Sequence, residues 1–104
     1  MNNKDLDKPD KSNTIVYTIN WNLVKSIRLK RIRGASFEDL FTGKLLDIRD
    51  NPSRSNQRML IFDYRGYIWA APCVIEGEEI FLKTLYRSRK YQRIYRKRRL
   101  NEKN

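Results

Sequence analysis

At 104 residues the chain has room for one domain with a modest core, and 39% apolar residues suffice to build it. The charge is lopsided: 23 Lys and Arg against 12 Asp and Glu leave a net +11, and there is no histidine to titrate near neutrality. A single cysteine, Cys73, excludes an intrachain disulfide, and without histidine it also excludes ordinary structural zinc sites, so chemistry must rest on Lys, Arg, Tyr, Ser or carboxylates.

Residues 1–13 read as a polar disordered tail, where Lys4, Lys8 and Lys11 are offset by Asp5, Asp7 and Asp10. Thr14 to Ile19 is β-branched and aromatic, which favours a short strand. Asn20 or Asn22 then caps a helix over Trp21–Arg33. Val24, Ile27 and, less regularly, Leu23 and Ile32 are expected to face a core; Lys25, Arg28, Lys30, Arg31 and Arg33 fill the other face. Gly34 is a natural stop. Ser36, three residues before Asp39, opens a shorter helix with Phe37, Leu40 and Phe41 inward, ended by Gly43.

Leu45 to Ile48 reads as a brief strand, and Asp50 to Gln57 as a loop. Three strands follow: Met59–Tyr64, Tyr67–Ile75 and Ile80–Tyr86, joined by turns at Arg65-Gly66 and Glu76-Gly77-Glu78. Pro72 calls for a bulge or an edge, where no ladder donor is needed. Alternation places Phe81, Lys83 and Leu85 on one face, core or solvent. Ser88 caps a last helix with Tyr91, Ile94 and Tyr95 on one side, and 101–104 should fray. The expected fold is therefore a single α+β domain over 14–100, an antiparallel β-sheet meander with two N-terminal helices and one basic C-terminal helix, all against one face.

From Lys83 to Asn104 stand ten basic residues and one acid, Glu102, a local +9 out of the total +11. Such a footprint suits a polyanion, above all nucleic acid. The strand-to-helix junction offers Arg87, Arg89 and Lys90 as a phosphate clamp, with the first-turn amides after Ser88 aimed at an anion. If the chain cleaves RNA without metal, which only the family resemblance given below implies, it also needs a base and an acid; Lys83 is the candidate acid, and Glu38, Tyr86, Tyr91 or Tyr95 the base. Lys25, Arg28, Arg31, Arg93, Arg96 and Lys97 are candidate RNA contacts. Trp21 reads equally as a hydrophobic plug or a base-stacking platform. A basic helix is more often a contact surface than a catalytic one, so a non-catalytic RNA- or ribosome-binding module and a protein that binds an acidic partner are the competing expectations. Nothing here calls for a cofactor, a metal or a membrane: the longest apolar run, 67–75, is far short of the ~20 residues that span a bilayer, and no secretory signal opens the chain. A cytoplasmic setting follows.

Several segments also carry a family pattern. I-N-W-N with Lys25, then a helix ending in Gly34 before A-S-F-E-D-L, resembles the amino-terminal half of BrnT-type toxins, where W-(D/N)-x-x-K runs into (H)-G-(V/I)-S-F-E-E. N-Q-R-M-L-I-F, G-Y-I-W-A-A-P and E-I-F-L-K-T-L-Y-R-S-R-K are similar, in that order, to the second half, which ends in K-T-I-x-P-S-R-K and a Tyr-bearing basic helix. Arg33 stands where a histidine is common and Arg87 where a proline is expected. The resemblance implies a RelE-like fold, a ribonuclease toxin of a type II toxin–antitoxin pair acting on RNA, and a cognate ribbon-helix-helix antitoxin. It highlights Trp21, Lys25, Phe37, Glu38, Lys83, Ser88, Arg89 and Lys90.

Overall fold

Two neighbouring strands are apolar almost without interruption, and that decides the layering. The computed structural model describes residues 16–103, with side chains for 16–96; the tail at 1–13 lies outside them. β3 (Arg58–Tyr64) and β4 (Tyr67–Glu76) pair antiparallel from Arg58↔Cys73 to Tyr64↔Tyr67. A strand without polar alternation needs cover on both faces, and both faces are covered. On one, Leu60, Phe62, Trp69, Ala71 and Cys73 pack with Leu29 of α1 (Leu23–Arg33), Ala35, and Phe37 and Leu40 of α2 (Phe37–Leu40). On the other, Met59, Ile61, Ile68 and Ala70 meet Tyr91 and Tyr95 of α3 (Arg89–Lys103). The helices therefore flank the sheet instead of sharing one face as expected. Helix α3 also carries helical backbone past the expected end at 100.

The fold is mixed α+β, with six strands and three helices among the described residues. β2 (Lys44–Asp50), β3, β4 and β5 (Glu79–Leu82) form the expected antiparallel meander, in sheet order β1-β5-β4-β3-β2, while β6 (Tyr86–Arg87) pairs with β4. The first strand, β1 (Thr18–Asn20), departs from it by pairing parallel with β5, Ile19 opposite Ile80. The chain leaves β1 through α1 and α2, reaches the far edge at β2, and the meander returns β5 to it running the same way.

The expected third strand is broken in two, and Pro72 marks the place. Its carbonyl accepts from Lys83 N at 2.8 Å, but its missing N–H leaves that side of β4 without a donor. β5 ends at Leu82, opposite Cys73, and β4 takes β6 as partner earlier in its own sequence, at Trp69 and Ala70. Alternation thus fails beyond Lys83: Phe81 is exposed, whereas Leu85 is fully buried.

Helix α1 is turned away from its aliphatic residues. Leu23, Val24, Ile27 and Ile32 are each more than 60% exposed, against the expectation, and Ser26 and Leu29 are buried instead. Polar bonds set this rotation. Ser26 Oγ accepts from Phe37 N at 2.9 Å and donates to Glu38 Oε1 at 2.6 Å, while Arg33 donates to the Leu85 carbonyl at 2.7 Å. Hydrophobic periodicity contains no record of such bonds. The helix ends behave as the residues predict: Asn22 Oδ1 accepts from Lys25 N, Gly34 stops the helix at φ +93°, and Ser36 and Asp39 form a reciprocal capping box.

Candidate nucleic-acid interface

Helix α3 begins on a pinned residue. Ser88 is buried, donates its N–H to the Ile68 carbonyl at 2.9 Å and accepts from Tyr91 N through Oγ at 3.1 Å. Ile68 returns its own N–H to Gln92 Oε1 at 2.9 Å. The first turn of α3 is thereby fixed against β4, and its leading amides, which have no acceptor within a helix, end the sheet on a positive pole. Ser88 acts as this cap, and its hydroxyl is committed to it.

A concavity of about 270 Å³ opens at this junction, lined by Asn51, Pro52, Ser53, Met59 and Tyr86 to Tyr91. None of its lining residues is acidic. Arg89 and Lys90 are exposed here, with Lys90 Nζ 5.3 Å from the Tyr91 ring centre. Arg87 borders the same concavity, but its guanidinium lies 4.5 Å over Tyr67, on the side of the sheet that its register with Trp69 dictates. Burial pushes the Tyr86 phenol above its ordinary value, with Tyr91 adding to the effect, so Tyr86 holds its proton near neutrality, and its hydroxyl donates to Met59 Sδ at 3.7 Å. An adjoining concavity carries Asp47, Arg49 and Asp50 and shares Pro52, Lys90 and Tyr91 with the first. Asp47 accepts from Tyr95 OH at 3.0 Å, and Asp50 faces Arg58 Nε at 3.1 Å. These residues of the 47–53 stretch carried no motif; only the fold brings them to the junction.

Lys83 is not part of that cluster. It lines a second cleft, about 300 Å³, with Asn22, Lys25, Arg28, Phe81 and Leu82. Both clefts are at the small end for ligand pockets, which run about 300–1,000 Å³, and fit a phosphate or a base better than a larger molecule. Arg31 stands exposed on the outer side of α1, and Arg93 and Arg96 on that of α3; the Lys97 side chain lies outside the described residues.

Glu38 and Trp21 belong to neither cleft. The Glu38 carboxylate takes the Ser26 hydroxyl and the Trp21 indole N–H, at 2.6 and 3.2 Å, and the Ser26 bond leads the effects that lower its pKa. Trp21 stacks on Phe41 at 5.8 Å and leans on Phe37 at 5.9 Å. Of its two readings, the geometry is that of a plug. Tyr91 and Tyr95 are buried in the core under α3. Among the described residues no group of His, Cys, Asp and Glu is arranged to hold a metal ion, and no helix is long and apolar enough to cross a membrane.

No family model matches the sequence, and no curated protein does. Among solved structures the chain is similar to the 1.1 Å crystal structure of the Brucella abortus ribonuclease toxin BrnT, at 17% identity over 72% of this chain and 97% of that one, with a TM-score of 0.44. That likeness is one of coarse fold.

Proposed function

We propose that the chain is the toxin of a type II toxin–antitoxin pair, a metal-independent endoribonuclease on a RelE-like scaffold that acts on RNA in the cytoplasm. The observation that supports it best is the acid-free concavity where Arg89 and Lys90 flank the capped start of α3. A phosphate there meets two cations and a helix N-terminus, and neutralising it releases its counterions. The sequence motifs point to the same class.

In the proposed reaction the 2′-hydroxyl gives its proton to a carboxylate and its oxygen attacks the adjacent phosphorus. The bond from phosphorus to the 5′-oxygen breaks, and that oxygen takes a proton from the Tyr86 phenol. Arg89 and Lys90 hold the charge on the phosphorane, and a well-aimed donor of this kind contributes about 10²–10³-fold. Asp47 and Asp50, in the adjoining concavity, are the proposed proton acceptors in place of Glu38, which lines neither cleft. Lys83, in the other cleft, moves from the proposed chemistry to RNA binding, with Lys25 and Arg28.

A protein partner is supported by a separate feature. The outward face of α1 sets Leu23, Val24 and Ile27 among Lys25, Arg28 and Arg31, a surface that an acidic, amphipathic segment would cover. In this reading the segment belongs to the antitoxin.

Expression in bacteria should arrest growth, and Arg89→Ala should relieve the arrest. Purified protein should shorten RNA, with or without ribosomes, in the presence of EDTA. Tight RNA binding with every product band at full length would leave a binding module and remove the nuclease.

A further inference from the structure

The sheet face beneath α3 is only partly covered. Register puts Met59, Ile61, Ile68 and Ala70 under the helix, and on the same face, toward the β1 edge, come Pro72, Val74 and Phe81. Phe81 is 42% exposed, with Lys83 Nζ 5.3 Å from its ring centre. Asn20 stands opposite Phe81 in the β1–β5 register. Lys25 and Arg28 reach the rim of the same cleft from α1.

A half-open aromatic ring on a strand, with an ammonium over it that a stacking base displaces toward the flanking phosphate and further cations at its edge, combines the two elements that single-stranded nucleic acid uses. A base stacks on the ring whatever its identity, and the phosphates on either side meet the cations. An aliphatic at position 81 would fill the strand equally well but offer no stacking surface. The far end of the strand limits the track, because Glu76 and Glu79 pair there and repel phosphate. In the other direction Lys83 leads within three residues, at most about 11 Å of extended chain, to Tyr86, which lies on the same face and lines the junction concavity, so a short single strand spans from the ring to the junction.

We propose that Phe81 is the base-stacking platform of a second nucleotide subsite, with Lys83, Lys25 and Arg28 holding the flanking phosphates of a single-stranded RNA. The subsite rests on the RNA-binding reading of the junction and extends it to a binding track with two stations. Lys25, Arg28 and Lys83 give it charge; Phe81 supplies affinity that salt does not screen.

The test measures binding of a fluorescein-labelled single-stranded RNA 12-mer across a salt series, by anisotropy, with the full chain. Phe81→Ala should weaken binding about 5- to 150-fold, the range for one stacked base, and leave the slope of log affinity against log salt unchanged. Phe81→Tyr should bind like the wild type. Lys25→Ala with Arg28→Ala should weaken binding and flatten the slope. Thermal unfolding of each variant reports on the fold, which an exposed side chain at 81 should barely affect. Arg89→Ala with Lys90→Ala tests the junction independently. Loss of affinity in that variant, with Phe81→Ala within twofold of wild type, overturns the subsite and keeps the junction. Loss in Phe81→Ala alone supports the subsite and overturns the junction. Wild-type affinity in both overturns both.

Discussion

Trp21 and Glu38, 17 residues apart, are joined by an indole N–H to Oε2 bond of 3.2 Å, and the other carboxylate oxygen takes the Ser26 hydroxyl at 2.6 Å. One carboxylate thus fastens the entry to α1, the middle of α1 and the start of α2. This latch does what an aliphatic stripe does in most surface helices.

Glu38→Gln should therefore be less stable than wild type at pH 7, by about 1 kcal/mol, a modest value because the carboxylate is exposed to solvent. Hydrogen bonding to Ser26 first, then to the backbone amide and Trp21, holds the folded pKa below the ordinary one. The contribution is thus complete above the unfolded value of about 4.3 and is lost as pH falls through the folded value. Urea midpoints of the two proteins, measured from pH 7 down to pH 3, should converge at the acid end. A gap that stays constant would show that the charge plays no part.

Gly43 lies so close to β3 that a Cβ would sit 2.3 Å from the Asp63 carbonyl oxygen. The obstacle is backbone, which cannot swing aside. Gly43→Ala should cost about 2–3 kcal/mol. Gly34→Ala, with nothing within 4 Å but φ at +93°, should cost only the left-handed backbone, about 1 kcal/mol. Chemical denaturation of both should rank them in that order.

Ser88→Ala removes the acceptor for Tyr91 N at the start of α3. A lost cap costs about 0.5–2 kcal/mol. The Tyr91 amide should exchange with deuterium faster than in wild type, and Ser88→Asp should restore much of its protection.

Cys73 is fully buried, and burial raises its thiol pKa. A buried, protonated thiol is a poor nucleophile. The native protein at pH 8 should resist a thiol reagent over the time in which the urea-unfolded chain reacts completely. Rapid labelling of the native form would mean that β4 opens readily.

Much of this molecule is local and was legible from residue types. The Asn22 and Ser36 caps, the Gly34 stop and the Ser88 start depend on a few neighbouring atoms. So does the Arg65-Gly66 turn, where both residues take positive φ. The concentration of cations after Lys83 is likewise a property of the chain itself. What a helix faces is not local. Val24 and Ile27 have core-like spacing yet stand in solvent, because Ser26, Glu38 and Arg33 turn α1 with hydrogen bonds to segments far away in sequence. Only the tertiary structure could put α3 on the opposite face from α1, pair β1 with β5 across some sixty residues, or send Lys83 and Arg89 to different clefts. The nearly uninterrupted apolar runs of β3 and β4 required cover on both faces, but which helix supplied each cover was decided by packing, a property of the whole chain.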